Sequence, residues 1–264
     1  MKVMGIVNVT PDSFSDGGRF LDPERAIAHG RKLVDEGADV LDIGGESTRP
    51  GAAAVEAAEE LARVIPVVEG LSGTAPISID TAKAAVAAEA IAAGAGMVND
   101  VTALGGDPDM AALCAESGVE VVLMHMLGTP RTMQNDPRYG DVVAEVRAFL
   151  LDRVESATGA GISRDRILID PGIGFGKTVE HNLELLGATT AFAETGLPVL
   201  VGPSRKAFIG RLDRDAPEGE RLGGTVAACL AAMDGGAAMV RVHDVAPVAQ
   251  AVRVAEAIRS GRPD

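Results

Sequence analysis

Polar residues with hydrogen-bonding side chains stand at the ends of short apolar runs along the chain. They combine amide, carboxylate and ammonium groups: Asn8, Asp80, Asn99, Asp170 and Lys206. Such a mixture can satisfy a flat heteroaromatic ring that carries donors and acceptors along its edge. The sequence therefore predicts a binding site for a small heterocycle.

A second group of side chains is cationic or can become so: Arg49, Lys206, Arg241 and His243. Together they suit an anionic group on a ligand. The chain carries 38 acidic and 24 basic residues, which gives a formal net charge of −14. Because an acidic surface repels polyanions, a confined basic site is what an anionic ligand requires here.

Structural explanations compete with these functional ones. A single Asp after a strand, such as Asp80 or Asp170, is most often a helix cap, but five polar residues in equivalent places weaken that explanation. His125 lies between two Met residues with no second His at metal-ligand spacing, so we interpret it as structural. Cys114 and Cys229 lie in Ala-rich helical patterns, which favours buried reduced thiols over a disulfide or a metal site.

Two kinds of glycine-rich stretch lack nucleotide-binding spacing. Residues 171–177 end in Gly-Lys like a phosphate-binding loop, but Pro171 stands where that motif requires Gly. The Gly pairs at 44–45 and 223–224 do not have the spacing of a dinucleotide fingerprint. We therefore expect neither a bound nucleoside triphosphate nor a Rossmann-type cofactor.

The candidate residues need a scaffold that brings strand ends together. Short apolar runs recur at residues 3–8, 40–44, 77–80, 97–99, 119–125, 167–170, 199–202 and 239–241. Ala-rich stretches with helical spacing lie between them, for example 24–36, 56–71, 82–93, 139–160 and 220–235. The runs repeat about every 33 residues, which matches the length of one βα unit.

Eight βα units in about 250 residues are typical of the TIM (β/α)8 barrel, with a doubly wound open sheet as the alternative. We find no Pro/Ser-rich linker, and so we predict a single α/β domain that spans residues 1–264. In a barrel, the carboxyl ends of all strands form one mouth, where the polar residues would converge. The pairs Asp22-Pro23 and Asp107-Pro108 predict an acidic cap before a Pro in the first helical turn.

Composition excludes several classes of protein. Aromatic residues are 3% of the chain and Trp is absent, which together with the acidic balance argues against nucleic-acid binding. No apolar stretch approaches the ~20 residues of a membrane span, and the N-terminal segment lacks a signal-peptide pattern. We expect a cytoplasmic protein with neither a nucleic-acid nor a membrane partner.

Eight segments, in order and near the spacing of the family, resemble dihydropteroate synthases. The longest are NVTPDSFSDGG at 8–18 and DIGGESTRPG at 42–51. The others are SIDT at 78–81, NDV at 99–101, MHM at 124–126, DPGIGFGK at 170–177, SRK at 204–206 and RVHD at 241–244. The resemblance covers essentially the whole chain and implies a TIM barrel. It also implies an activity in folate biosynthesis, the joining of 6-hydroxymethyl-7,8-dihydropterin pyrophosphate to p-aminobenzoate with release of pyrophosphate.

The resemblance also implies roles for individual residues. The pterin is bound by Asp80, Asn99, Met124, Asp170 and Lys206. Pyrophosphate is bound by Arg49, Arg241 and His243. The p-aminobenzoate pocket is formed by Phe14, Thr48, Pro50, Phe175 and Ser204. The catalytic residues are Asp16, Lys206, Arg241 and His243, and Asn8 contacts a Mg²⁺ ion that pyrophosphate and water otherwise hold.

The family mechanism is dissociative: a pterin cation forms before the amine attacks. Residues 10–19 and 47–51 resemble loops that close over the site, which would keep water from the cation. The resemblance further implies a homodimer and sensitivity to sulfonamides. Two alternatives stay open on the sequence, a catalytically silent pterin-binding paralogue and a methyltransferase that passes a methyl group from a pterin to a corrinoid protein.

Overall fold

The structure is a computed structural model that describes residues 1–10, 23–47, 51–52 and 54–262. Its centre is one eight-stranded sheet in which all neighbouring strands run parallel. The strands are β1 (Lys2–Asn8), β2 (Val40–Gly44), β3 (Ile77–Asp80), β4 (Met97–Asp100), β5 (Glu120–Met124), β6 (Ile167–Asp170), β7 (Leu200–Val201) and β8 (Met239–Val242).

The sheet closes on itself. Its order is β6-β5-β4-β3-β2-β1-β8-β7, and a bridge between Ile169 and Val199 joins the two outer strands. The amide of Ile169 also donates to the carbonyl of Pro198 at 3.0 Å. A closed ring of eight parallel strands confirms the predicted TIM barrel and is not the doubly wound open sheet.

Helices follow the strands and cover the outside of the barrel. They are α1 (Pro23–Asp35), α2 (Ala57–Leu71), α3 (Ala84–Ala92), α4 (Met110–Ser117), α5 (Val142–Gly159), α6 (Val179–Gly187), α7 (Thr189–Ala193), α8 (Ala207–Leu212), α9 (Leu222–Asp234) and α10 (Val245–Ser260). Within the described residues, none of the helices combines the length and the hydrophobicity of a membrane span.

Alternation along each strand divides the apolar residues between two cores. One core lies between the strands and the helices, and the other is a compact cluster inside the barrel: Met4, Val40, Met97, Val122, Leu168, Leu200 and Met239. Two residues further along β2, β4, β6 and β8, the same inward register reaches Asp42, Asn99, Asp170 and Arg241. The barrel is thus apolar at its base and polar at its mouth.

Two local predictions need correction. Helix α4 begins at Met110, so Asp107 lies in the preceding turn and is not the residue next to the helix start. Its carboxylate instead accepts from the backbone N–H of Asp109 at 3.0 Å and from that of Ala84, the first residue of α3, at 2.9 Å. The strand predicted at 199–202 is reduced to two residues, and Val199 lies just before it, in the bridge that closes the barrel.

Both cysteines agree with the structural interpretation. Cys114 and Cys229 are buried and free of disulfides. Burial raises the pKa of the Cys114 thiol to about 11 and that of Cys229 to about 12. They are therefore neutral packing residues rather than nucleophiles.

Candidate active site at the barrel mouth

A pocket opens at the carboxyl ends of the strands. It is lined by Asp80, Asn99, Val101, Met124, Asp170, Ile173, Phe175, Gly202, Lys206 and Arg241. Seven of these are residues that the sequence placed in the site. Val101 and Ile173 are apolar wall residues that the sequence analysis did not single out.

Arg241 joins two carboxylates across the mouth. Its Nε donates to Oδ2 of Asp42 at 2.5 Å, and its Nη2 donates to Oδ2 of Asp80 at 2.7 Å. Asp42 also accepts from Nδ2 of Asn99 at 3.1 Å. The side chains predicted to hold the pterin are therefore linked to the one predicted to bind pyrophosphate.

Asp42 is the main residue that the sequence analysis missed. It is fully buried in the middle of β2, and its Oδ1 has no hydrogen-bond partner. The hydroxyl of Ser78, its register partner on β3, is also buried without a partner. The sequence did contain a signal for Asp42, because it is a carboxylate inside an otherwise apolar strand. A buried charge costs free energy unless it is paired with another group, so such a residue predicts a specific partner.

Burial shapes the protonation of the two pocket carboxylates. It raises the pKa of Asp80 to about 7, against the attraction of Arg241 and with the repulsion of Asp42 in addition. Burial also raises the pKa of Asp170 to about 6, while the Gly172 amide and Lys206 favour the charged form. Burial opposes the charge on Arg241, but Asp42 and Asp80 outweigh it and raise the pKa of the guanidinium. The mouth therefore holds a permanent cation beside carboxylates that titrate near neutrality.

A glycine-rich turn after β6 brings Phe175 to the pocket. Gly172, Gly174 and Gly176 all have positive φ, from 65° to 83°, a conformation that glycine adopts without strain. A Cβ on Gly174 would lie 2.8 Å from Cδ of Lys206, so a larger residue there would displace the lysine side chain. The Nζ of Lys206 lies 4.0 Å from the centre of the Phe175 ring, a cation–π contact.

The backbone of this turn is held by side chains from other elements. Gln134 donates to the carbonyl of Gly174 at 2.8 Å, and the hydroxyl of Tyr139 donates to that of Gly176 at 2.9 Å. The amide of Gly174 donates to Oδ1 of Asn182 at 2.6 Å. The turn is thus fixed before any ligand binds.

The positions of Lys206 and His243 are fixed by contacts of neighbouring residues. Arg205 has a φ of 56° and makes two hydrogen bonds to Asp244, at 2.6 and 2.8 Å, which fix the start of α8. Oγ of Ser204 lies 2.9 Å from Nδ1 of His243 and accepts from the His243 backbone N–H at 3.1 Å. Burial, followed by Arg241, lowers the pKa of His243 to about 3, so the imidazole is neutral rather than cationic in the unliganded protein.

A magnesium ion at this mouth would find an oxygen donor at the end of β1. Asn8 ends β1 in the inward register and offers one amide oxygen, a donor suited to a hard cation. Within the part of the chain that the structure describes, no group of three or more His, Cys, Asp or Glu side chains is arranged to hold a metal. The ion would accordingly take most of its oxygen ligands from phosphate and water.

Some predicted site residues lie outside the described residues. They are Phe14, Asp16, Thr48, Arg49 and Pro50. Their roles in binding pyrophosphate and p-aminobenzoate stay predictions.

Comparison with known proteins identifies the family. Residues 4–243 match the family described as pterin binding enzyme. A dihydropteroate synthase of Synechocystis sp. is 48% identical over 259 residues, which covers 97% of this chain and 89% of that protein.

Solved structures agree with this match. A Xanthomonas albilineans dihydropteroate synthase with 4-aminobenzoic acid is 52% identical and has a TM-score of 0.92, covering 98% of this chain and 93% of that one. The Xanthomonas albilineans enzyme in complex with 7,8-dihydropteroate is 49% identical and has a TM-score of 0.88, covering 98% of this chain and 94% of that one. A Yersinia pestis dihydropteroate synthase with a sulfonamide drug complex is 44% identical and has a TM-score of 0.93, covering 98% of this chain and 94% of that one. The chain therefore belongs to the dihydropteroate synthase family of pterin-binding enzymes.

Proposed function

We propose that the barrel mouth condenses 6-hydroxymethyl-7,8-dihydropterin pyrophosphate with p-aminobenzoate to give 7,8-dihydropteroate and pyrophosphate. The observation that carries this proposal is the convergence of Asp80, Asn99, Asp170 and Lys206 in one pocket of a chain from this family. Carboxylates and an amide at the floor of a buried pocket match the donors and acceptors on an aminopyrimidinone ring.

The pterin is held at its edge and over its face. The Asp170 carboxylate accepts from ring N–H groups, and Asn99 supplies both a donor and an acceptor. Met124 and Ile173 give apolar contact to the ring, and Lys206 lies beside it. Because Asn99 already donates to Asp42, the orientation of its amide is fixed before the pterin arrives.

The leaving group is stabilised by cationic side chains and by one neutral hydrogen-bond donor. The carbon–oxygen bond to pyrophosphate breaks first, and its electron pair leaves on the pyrophosphate oxygen. We assign Arg49, Arg241 and His243 to this anion, with His243 donating as a neutral imidazole. A Mg²⁺ ion held in part by Asn8 would neutralise further charge on pyrophosphate when bound.

The amine of p-aminobenzoate then attacks the exocyclic carbon of the pterin cation. A carbon–nitrogen bond forms from the nitrogen lone pair, and the nitrogen gives up one proton to the released pyrophosphate. We assign Asp16 to stabilising the cation and Phe14, Thr48, Pro50, Phe175 and Ser204 to the aromatic amine. Since Ser204 also bonds to His243, it connects the amine pocket to the pyrophosphate pocket. The route needs no enzyme nucleophile.

The decisive experiment supplies purified protein with the pterin pyrophosphate and magnesium, with and without p-aminobenzoate. Pyrophosphate release and dihydropteroate formation are measured together, the latter by chromatography. Product that requires both substrates and is suppressed by a sulfonamide supports the synthase. Tight pterin binding without product would identify a silent paralogue, and methyl transfer without pyrophosphate release would identify a methyltransferase.

A further inference from the structure

Lys177 is a buried lysine to which the proposed mechanism gives no role. It ends the glycine-rich segment that only superficially resembles a phosphate-binding loop, and its side chain is 3% exposed. Burial is its largest electrostatic influence and lowers the pKa of the ammonium to about 7, with Asp170 opposing and Lys206 adding to the effect. A lysine kept in so unfavourable a place needs specific partners.

Lys177 has three acceptors within reach of its amine. Its Nζ lies 3.0 Å from Nδ1 of His125 and 2.9 Å from the carbonyl oxygen of Phe175, with the carbonyl oxygen of His125 at 3.4 Å. Burial and the neighbouring Lys177 lower the pKa of His125 to about 3, so the ring is neutral and Nδ1 can accept. The amine is therefore committed to backbone and ring acceptors rather than to a ligand.

These contacts tie two turns of the mouth together. His125 follows β5, and its amide donates to the carbonyl of Asp170 on β6 at 3.0 Å. Phe175 belongs to the turn after β6. The two segments touch so closely that a Cβ on Gly172 would lie 1.9 Å from the carbonyl oxygen of His125.

We propose that Lys177 is a positioning residue for the aromatic amine, acting by fixing the turn that presents Phe175 to Lys206. This inference rests on the proposed function and assigns a determinant of amine binding in the same site. Without the amine of Lys177, the carbonyl of Phe175 and Nδ1 of His125 lose a buried donor, and the turn shifts to regain hydrogen bonds. The Phe175 ring then leaves its place against Lys206.

The test measures steady-state kinetics of Lys177→Met, which keeps the length and apolar stem of the side chain. We expect KM for p-aminobenzoate to rise about five-fold or more while KM for the pterin substrate stays within about two-fold, because we assign the displaced ring, Phe175, to the amine. Arg147→Met is the matched control. Its Nε donates to the carbonyl of Ala191 at 3.2 Å in the outer helical layer, so it loses a similar cation–carbonyl bond away from the mouth.

Tyr139→Phe provides a milder second variant, because it removes only the hydroxyl that donates to Gly176 in the same turn. We expect the same selective rise in KM for the amine, by about two-fold, since one of several anchors is lost. Equal changes in both KM values, or no change in either variant that folds, would overturn the inference. If Lys177→Met does not fold, Tyr139→Phe decides alone. A wild-type protein that makes no dihydropteroate would instead refute the proposed function.

Discussion

Nη2 of Arg241 donates to Oδ2 of Asp80 across the barrel mouth at 2.7 Å. We assign these two residues to different substrate groups, Arg241 to pyrophosphate and Asp80 to the pterin ring. Their contact means that the Asp80 carboxylate orients the guanidinium in the unliganded protein. Asp42 completes this arrangement, because it accepts from Nε of the same guanidinium. The two halves of one substrate would thus be bound by one connected group of side chains.

Asp42→Asn tests this connection. The substitution keeps the volume but removes the charge that holds Arg241, and it places an amide against the Nδ2 donor of Asn99. We expect pterin pyrophosphate to bind roughly 10- to 100-fold more weakly, which corresponds to the loss of a charged hydrogen bond. Calorimetric titration of the folded variant with the pterin substrate gives the affinity.

Asp39→Asn is the control for that variant. Asp39 is exposed before the start of β2, at the opposite end of the barrel, and accepts from the amide of Val3 at 2.7 Å. The Asp39→Asn variant should bind the pterin substrate with the affinity of the wild type. Equal affinities of Asp42→Asn and wild type would mean that Arg241 and Asn99 keep their orientation without Asp42.

Pterin affinity should depend on pH through Asp170. Burial raises the pKa of this carboxyl to about 6 in the unliganded protein, so it is protonated below that pH and ionised above it. Since we assign the ionised form to accept from the ring N–H groups, the affinity for the pterin should fall by up to about ten-fold per pH unit as the pH drops below 6. Dissociation constants of the pterin substrate, measured between pH 5 and 8, test this dependence.

The neighbouring Asp80 must be separated from Asp170 in that experiment. The pKa of Asp80 is raised to about 7 and adds its own step at higher pH. Asp170→Asn should bind weakly and lose the lower step while keeping the upper one. A variant with an unchanged profile would show that another group controls the pH dependence.

The barrel could be predicted from sequence because the residues of each strand indicate where the strand begins and ends. Strands β3 and β6 match their predicted limits, residues 77–80 and 167–170, since each is an apolar run ending in an inward Asp. Short helices such as α7 and α8 were missed, because five or six residues show too little periodicity. The cytoplasmic location, the homodimer and the 1–264 domain limits stay predictions.

The site was predictable where residues end strands and less so elsewhere. Asp80, Asn99 and Asp170 follow from position alone, and the pocket contains all three. Lys177 and Asp42 did not stand out, because their roles come from partners distant in sequence. The Nζ of Lys177 reaches His125, 52 residues away, and Asp42 meets Arg241, 199 residues away. Such contacts exist only once the barrel closes.

Lys206→Met should abolish most of the activity without unfolding the protein. The side chain is half-buried at the mouth, where its ammonium faces the Phe175 ring and lies near Asp170. We expect kcat to fall about 100-fold, the usual effect of removing one charged group that stabilises a transition state. Lys32→Met, on the exposed face of α1, should retain full activity. Thermal unfolding checks that both variants fold, and a folded Lys206→Met with wild-type kcat would remove Lys206 from the mechanism.

Gly172→Ala should destabilise the protein far more than Gly118→Ala. The two glycines have nearly the same backbone conformation, with φ of 68° and 66°. An alanine at either position costs about 1 kcal/mol for the left-handed conformation. At Gly118 the new Cβ meets nothing within 4 Å, whereas at Gly172 it would lie 1.9 Å from the carbonyl oxygen of His125. Because that oxygen belongs to the backbone junction that Lys177 holds, relief of the overlap requires the two turns to separate.

We expect Gly172→Ala to lower the free energy of unfolding by about 4 kcal/mol, the range reached when a mutation disrupts a packed core. Urea denaturation of the two variants measures the difference. Equal losses would mean that the turns after β5 and β6 separate freely, which would contradict a fixed platform for Phe175.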